Sequence, residues 1–388
     1  MRDRPLSRSS SRTIPATLRR ALLAAALAGV ALSTLPANSR AASETVRFQN
    51  GDIGFTGSLD LPDGPAPYPA IVLLTGSDPS PRDAPFFEDL RRRFAERGFA
   101  ALSFDKRGVG DSEGTYEETP DFDVAAGDGL AAVRYLLGRR DIDSTRVGVW
   151  GVSQGGWLAL LMAAKSPEVA FVINISGPGV SPFEQTMFQR GVDLSERKVP
   201  PRQVAEAIDV RRRILTYFAT GKGVEAARAA FRGLPARPWF RAASETDRWF
   251  EALANLESLP PPSALPPDIV ATLKRTYEYD PAAVAARVRV PVLNVFGGKD
   301  RHIPVEPSVA ALKAAFRRGG NRDATFRVIP EGGHAIQVVE GTAECLRCMA
   351  ERRREGTLIE LPVPGYYDLI LGWAEDRFGP PTARLRHG

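Results

Sequence analysis

Val147-Gly148-Val149-Trp150-Gly151-Val152-Ser153-Gln154-Gly155-Gly156-Trp157 decides how the rest of the chain is read. Val147 to Trp150 is apolar and β-branched or aromatic apart from one Gly, which reads as a strand. Trp157 to Ala164 is a run of good helix formers. A serine on the sharp turn between them takes a strained backbone conformation, so the residues two positions away on either side must be small. Gly151 and Gly155 meet that need, and Gly156 lets the new helix pack close to the sheet. The result is a G-x-S-x-G elbow, with the Ser153 hydroxyl at the head of a helix where backbone N–H groups favour developing negative charge.

Outward from the elbow, strands alternate with helices. Thr45 to Leu61 alternates and turns at Asn50-Gly51, a hairpin. Tyr68 to Leu74 is a continuous apolar run, which suits a strand buried on both faces. Phe86 to Gly98 has helical periodicity, Phe99 to Phe104 reads as a strand and Phe122 to Leu137 as a helix. Phe171 to Ile175, Val290 to Phe296 and Thr325 to Ile329 read as further strands, with helices over 308–318 and 364–378. The class is α/β: a mainly parallel sheet with helices on both faces.

Between Val180 and Val288 the strand signal disappears. Helices are expected over 204–217, 224–231 and 242–256, followed by a Pro-rich connector over 260–267. This is read as a helical cap inserted into the core. The expected organisation is an export leader over 1–41, core over 42–180, cap over 181–288 and core again over 289–388. The cap aromatics Phe218, Trp239, Phe240, Trp249 and Phe250 could line an acyl pocket or form the cap's own small core, and the second is preferred.

A nucleophilic serine needs a base to take its proton and an acid to hold that base in the right tautomer. The three histidines are His302, His334 and His387. His387 is the penultimate residue. His302 lies in Arg301-His302-Ile303-Pro304, the run into the next helix. His334 lies in Pro330-Glu331-Gly332-Gly333-His334, just past the last strand, and Asp300 lies past the strand before it. Active groups in open α/β sheets gather beyond the carboxyl ends of strands. The expected triad is therefore Ser153, Asp300 and His334. The oxyanion of a tetrahedral intermediate needs two N–H donors. Gln154 supplies one, and the loop after Tyr68–Leu74 supplies the other, at Ser77 in preference to Gly76.

The residues Gly76-Ser77-Asp78-Pro79-Ser80-Pro81-Arg82-Asp83, Asp105-Lys106-Arg107-Gly108-Val109-Gly110-Asp111-Ser112, Gly151 to Gly156, Gly298-Lys299-Asp300 and Gly333-His334 resemble the α/β-hydrolase superfamily. Within it they resemble the branch of exported esterases related to dienelactone hydrolases and to prolyl-oligopeptidase-type catalytic domains. That branch often reads G-S-G-P-x-D-R-D after its first buried strand; here Asp78 replaces the second Gly and Pro81 the first Asp. The resemblance implies an α/β-hydrolase fold over about 45–380. It also implies that Asp105 to Ser112 shapes the sheet edge and does no chemistry. The expected activity is hydrolysis of a small-molecule carboxylic ester through an acyl-enzyme. The alternatives are a peptidase, amidase or thioesterase using the same triad, or a binding protein on the same fold. The chemistry needs no metal and no organic cofactor.

Charge narrows the classes further. The 388-residue chain has a net charge of +5. Residues 1–41 alone hold seven Arg and one Asp, so the remainder is close to neutral and offers no argument for nucleic acid. Arg19-Arg20 precede the apolar stretch from Ala21 to Leu35, and Ser39-Arg40-Ala41 is a small-x-small cleavage site. The stretch is short against the roughly 20 residues of a membrane span. An exported protein, periplasmic or secreted, with no stable membrane insertion after cleavage, is expected. Cys345 and Cys348, spaced C-x-x-C, are read as a structural pair or idle thiols.

Overall fold

A computed structural model describes residues 43–339 and 362–380. The leader, the two cysteines and His387 lie outside the described residues. Among these, one sheet contains β1 (Ser43–Asn50), β2 (Ile53–Asp60), β3 (Tyr68–Leu74), β4 (Ala100–Phe104), β5 (Ile142–Val152), β6 (Phe171–Ile175), β7 (Val292–Gly297) and β8 (Ala324–Ile329). The helices, in chain order, begin with α1 (Pro85–Glu96), α2 (Phe122–Leu137) and α3 (Gln154–Lys165). Between β6 and β7 come α4 (Pro182–Glu196), α5 (Pro201–Thr220), α6 (Val224–Phe231), α7 (Phe240–Ser244), α8 (Arg248–Ala254), α9 (Pro267–Glu278) and α10 (Pro281–Ala285). The last two are α11 (Val305–Gly319) and α12 (Tyr366–Phe378).

The strand order is β1-β2-β4-β3-β5-β6-β7-β8. β2 pairs antiparallel with β1 and β4, and the remaining pairs are parallel. β3 is the pivot: β4 lies on one side of it and β5 on the other. The chain builds outward one way from β3 and then the other way from β5. That reversal opens a crevice beyond the carboxyl ends of β3 and β5, the switch point where open α/β sheets bind ligands. The α/β-hydrolase fold expected from the sequence is the fold observed.

The continuous apolar run of β3 is explained by its neighbours. Ala70, Val72 and Leu74 join one buried cluster with residues of α2, α3, α10 and α11. Ile71 and Leu73 point the other way, into a second cluster with α1 and α12. Both faces are dry, so neither can alternate with polar residues.

The segment between β6 and β7 differs from expectation in detail. The single helix expected over 242–256 is two, α7 and α8. Asp247 sits between them and caps α8, its carboxylate accepting from Trp249 N–H at 3.0 Å. The Pro-rich connector ends in a helix, since Pro267 opens α9. α4 was not expected at all. Its start is nevertheless written as a capping box, Ser181-Pro182-Phe183-Glu184, and Ser181 Oγ accepts from Glu184 N–H at 3.3 Å. These helices bury their own cluster, with Phe218, Trp239, Phe240 and Phe250 inside it and Trp249 packed against it.

Within that cluster Arg211 donates to Asp247, and both side chains are buried. Asp247→Ala leaves the guanidinium charged without its partner and also removes the α8 cap. A stability loss of about 3–5 kcal/mol is expected from breaking such a buried pair, measured as a lower urea midpoint. A midpoint equal to wild type would show that water reaches Arg211 freely.

Candidate active site

Ser153 lies between β5 and α3 with φ 55° and ψ −118°, a conformation that costs a non-glycine residue about 1–3 kcal/mol. The turn is pinned on both sides. Ser153 N–H donates to Ile175 C=O at 2.9 Å, and Gly156 N–H donates to Ser153 C=O at 2.9 Å. A Cβ on Gly151 would collide with the Gly155 carbonyl, and one on Gly155 would lie 2.6 Å from both Leu74 and Thr75 carbonyl oxygens. A Cβ on Gly156 would run into the side chain of Asn174. Asn174 is fully buried and bonded to Asn294 and Gly177, so it has no room to retreat. Gly155→Ala therefore pushes on main-chain atoms of β3. A loss of at least about 1–3 kcal/mol is expected, read from urea unfolding. A variant as stable as wild type would remove the steric account of this glycine.

His334 Nδ1 lies 2.8 Å from Asp300 Oδ2, and the Asp300 side chain has no solvent exposure. The other carboxylate oxygen, Oδ1, accepts from His302 N–H at 2.8 Å and Ile303 N–H at 3.1 Å. A carboxylate only accepts, so Nδ1 carries a proton, and in the neutral imidazole this tautomer leaves the Nε2 lone pair free. The loops after β7 and β8 are laced together to hold this pair. Lys299 N–H donates to Gly332 C=O at 2.9 Å, and Gly298 N–H donates to Ile329 C=O at 2.7 Å. A Cβ on Gly297 would clash with the Gly332 and Gly333 carbonyls.

Ser77, Ser153, Gln154 and His334 line one cavity of about 800 Å³, and Asp300 backs His334. The five residues singled out from the sequence thus come from the ends of β3, β5, β7 and β8 to one place. Phe86, Phe87, Phe122 and Trp157 give part of the wall an aromatic surface. Gln185, Thr186, Gln189 and Arg190, all on α4, give the facing part a polar one. The aromatics Phe218, Trp239, Phe240, Trp249 and Phe250 do not line this cavity.

A protein-family model described as X-Pro dipeptidyl-peptidase (S15 family) matches residues 36–305. The chain belongs to that family. The match takes in Ser153 and Asp300 and ends before His334. Among curated relatives of this S15-family chain, esterase EstD of Thermotoga maritima is 24% identical over 327 residues, 81% of this chain and 66% of EstD. The quorum-quenching protein AidA of Acinetobacter baumannii is 33% identical over 129 residues, 33% of this chain and 42% of AidA. The chain thus spans just under two thirds of EstD's length and less than half of AidA's. Among solved structures, the Pyrococcus furiosus esterase Pf2001 superposes with a TM-score of 0.51 at 16% identity, covering 88% of this chain and 92% of that one. That likeness is one of fold.

The S15-family site holds a residue that its sequence assigned elsewhere. His302 does lead into α11, but its ring also lines the cavity, with its centroid 4.8 Å from that of His334. Gln185 Nε2 donates to His302 C=O at 2.7 Å, and Gln189 Nε2 lies 3.1 Å from His302 Nδ1. Burial, and then the nearby His334, lower the pKa of His302. The shift disfavours the charged form of His302 beside the His334 ring. No sequence signal gave this position, because it depends on two glutamines of the unexpected α4.

Proposed function

We propose that the protein is a serine carboxylic-ester hydrolase. One observation carries the reading: Ser153, held on a strained elbow, opens into the same cavity as an imidazole backed by a buried carboxylate. In this reading Ser153 Oγ attacks the acyl carbonyl and His334 Nε2 takes its proton. Ser77 and Gln154 N–H groups hold the oxyanion, and neither has a hydrogen-bond acceptor among the described residues. His334 then gives the proton to the departing alkoxide. A water, deprotonated by the same nitrogen, releases the acid and restores Ser153. The esterase relative supports an ester substrate. The aromatic wall suits an apolar acyl or alcohol group, and the polar face of α4 suits a hydrogen-bonding one. The composition of residues 1–41 adds export to the reading, to the periplasm or beyond.

A second reading, a peptidase, has an observation of its own. An enzyme that removes dipeptides must hold a free amino terminus, and Glu118 is an acidic residue lining the cavity. The test is a fluorophosphonate probe with mass mapping of the adduct, followed by p-nitrophenyl esters and X-Pro p-nitroanilides on one preparation. A Ser153 adduct with ester turnover dominant is expected. Dominant anilide turnover would favour the peptidase, and no adduct on Ser153 would end both readings.

A further inference from the structure

Lys106 lies just beyond β4, in the segment that the family resemblance leaves without chemistry. Its ammonium donates to Gly76 C=O at 2.7 Å and to Asp78 C=O. Tyr116 OH donates to the carbonyl between them, that of Ser77, and Lys106 Nζ lies 5.5 Å over the Tyr116 ring. Three successive carbonyls of the loop after β3 are thus held from one side.

In a trans peptide the C=O of one residue and the N–H of the next point in opposite directions. Tying down the Gly76 carbonyl turns Ser77 N–H the other way, and tying down the Ser77 carbonyl does the same for Asp78 N–H. The free side of the loop is the cavity: Gly76, Ser77 and Asp78 line it with Ser153. A Cβ on Gly76 would be 3.7 Å from Ser153 Cβ. The loop has no helix or strand to fix its peptide planes. Its own side-chain turn, Asp78 Oδ1 accepting from Ser80 N–H at 2.9 Å, leaves the Gly76–Ser77 peptide free to rotate.

We propose that Lys106, assisted by Tyr116, is a positioning residue that keeps Ser77 N–H aimed at the oxyanion by holding the Gly76 carbonyl from behind. This deepens the ester-hydrolase reading and rests on it. Without the ammonium the Gly76–Ser77 peptide can flip, and a carbonyl oxygen would then face the developing negative charge.

The clamp is sensitive to pH. Burial pulls the pKa of Lys106 down to about 8, against the opposing pull of Asp78. Tyr116 faces it in the loop, and Arg107, Glu117, Asp121 and Asp128 line the small cavity that Lys106 shares with Tyr116. Arg107 is paired with Asp128. The charged clamp is therefore present below about pH 8 and weakens as pH rises through it.

The test uses p-nitrophenyl butyrate turnover from pH 6 to 10, with binding of a trifluoromethyl ketone, which forms a tetrahedral adduct on serine. Lys106→Met is expected to lower kcat about 10²-fold or more, the effect of losing one oxyanion donor, with KM within about threefold. Its kcat profile should lose the alkaline limb near pH 8, and ketone affinity should fall in proportion to kcat/KM. Lys106→Arg should restore part of kcat, and Tyr116→Phe should keep the limb. A Lys106→Met kcat within threefold of wild type, a loss confined to KM, or a limb that persists would overturn the proposal. If Lys106→Met does not fold, the wild-type ketone affinity decides: a fall above pH 8 supports the clamp and a flat profile rejects it. Ser153→Ala separates the two claims, since its survival as an active enzyme would reject the hydrolase reading itself.

Discussion

Under the proposed hydrolase reading, Ser153→Ala is expected to lower kcat for ester turnover by roughly 10⁶, the scale seen when a serine nucleophile is removed from a complete triad. The size follows from the geometry. The N–H groups of Ser77 and Gln154 and the imidazole of His334 stay in place, yet nothing is left to form the acyl bond. What remains is slow water attack polarised by the oxyanion donors. Ala keeps the same strained φ of 55° and the same main-chain bonds to Ile175 and Gly156, so the fold should hold. Circular dichroism and thermal melting on the same preparation check that point. Turnover of p-nitrophenyl butyrate within tenfold of wild type would require a different nucleophile and would undo the reading of the elbow.

Asp300→Asn should lower kcat by about 10⁴, through a tautomer rather than through lost packing. The two backbone N–H groups of His302 and Ile303 already claim one oxygen of the carboxylate. In Asn that position must keep the carbonyl oxygen, which turns the NH₂ group toward His334 Nδ1. Nδ1 then becomes the acceptor and the proton moves to Nε2, the nitrogen that must be free to act as base. KM should change little, and the rate of fluorophosphonate labelling at Ser153 should fall in parallel with kcat. A loss smaller than tenfold would mean that the His334 tautomer is set by something other than Asp300.

Much of this site is written locally in the chain, and the reason is steric. The elbow needs glycines at 151, 155 and 156 because backbone or buried side-chain atoms occupy the space where their Cβ atoms would go. Such a requirement survives as a motif. Asp300 and His334 were legible for a topological reason, since each follows the end of a late strand and few histidines compete. α4 did carry local signs: its Ser181-Pro182-Phe183-Glu184 start and the buried Phe183, Met187 and Leu194 along one face, interrupted by Gly191. The other missed features depend on distant partners. The cavity-facing place of His302 rests on Gln185 and Gln189 of that helix. Lys106 stands in a segment whose glycines and aspartates suggest only turns. Asp105 does serve the turn there, accepting from Arg82 N–H at 2.7 Å and Asp111 N–H at 3.0 Å, while Lys106 reaches the neighbouring loop. The preference for a self-contained core among the cap aromatics agrees with the structure, in which four of them are buried together away from the cavity.

The helices between β6 and β7 bury an apolar interior separate from the two that flank the sheet. The cavity of the proposed hydrolase is therefore lined from two separately packed parts, the strand ends and core aromatics on one side and α4 on the other. The outward face of one such helix can be rewritten without disturbing the packing of the sheet, whereas exchange of the whole block would also take Gln185 and Gln189 away from His302. In the reading proposed above, selectivity can drift on that face while the strand ends that carry Ser153, Asp300 and His334 keep the two interiors that support them.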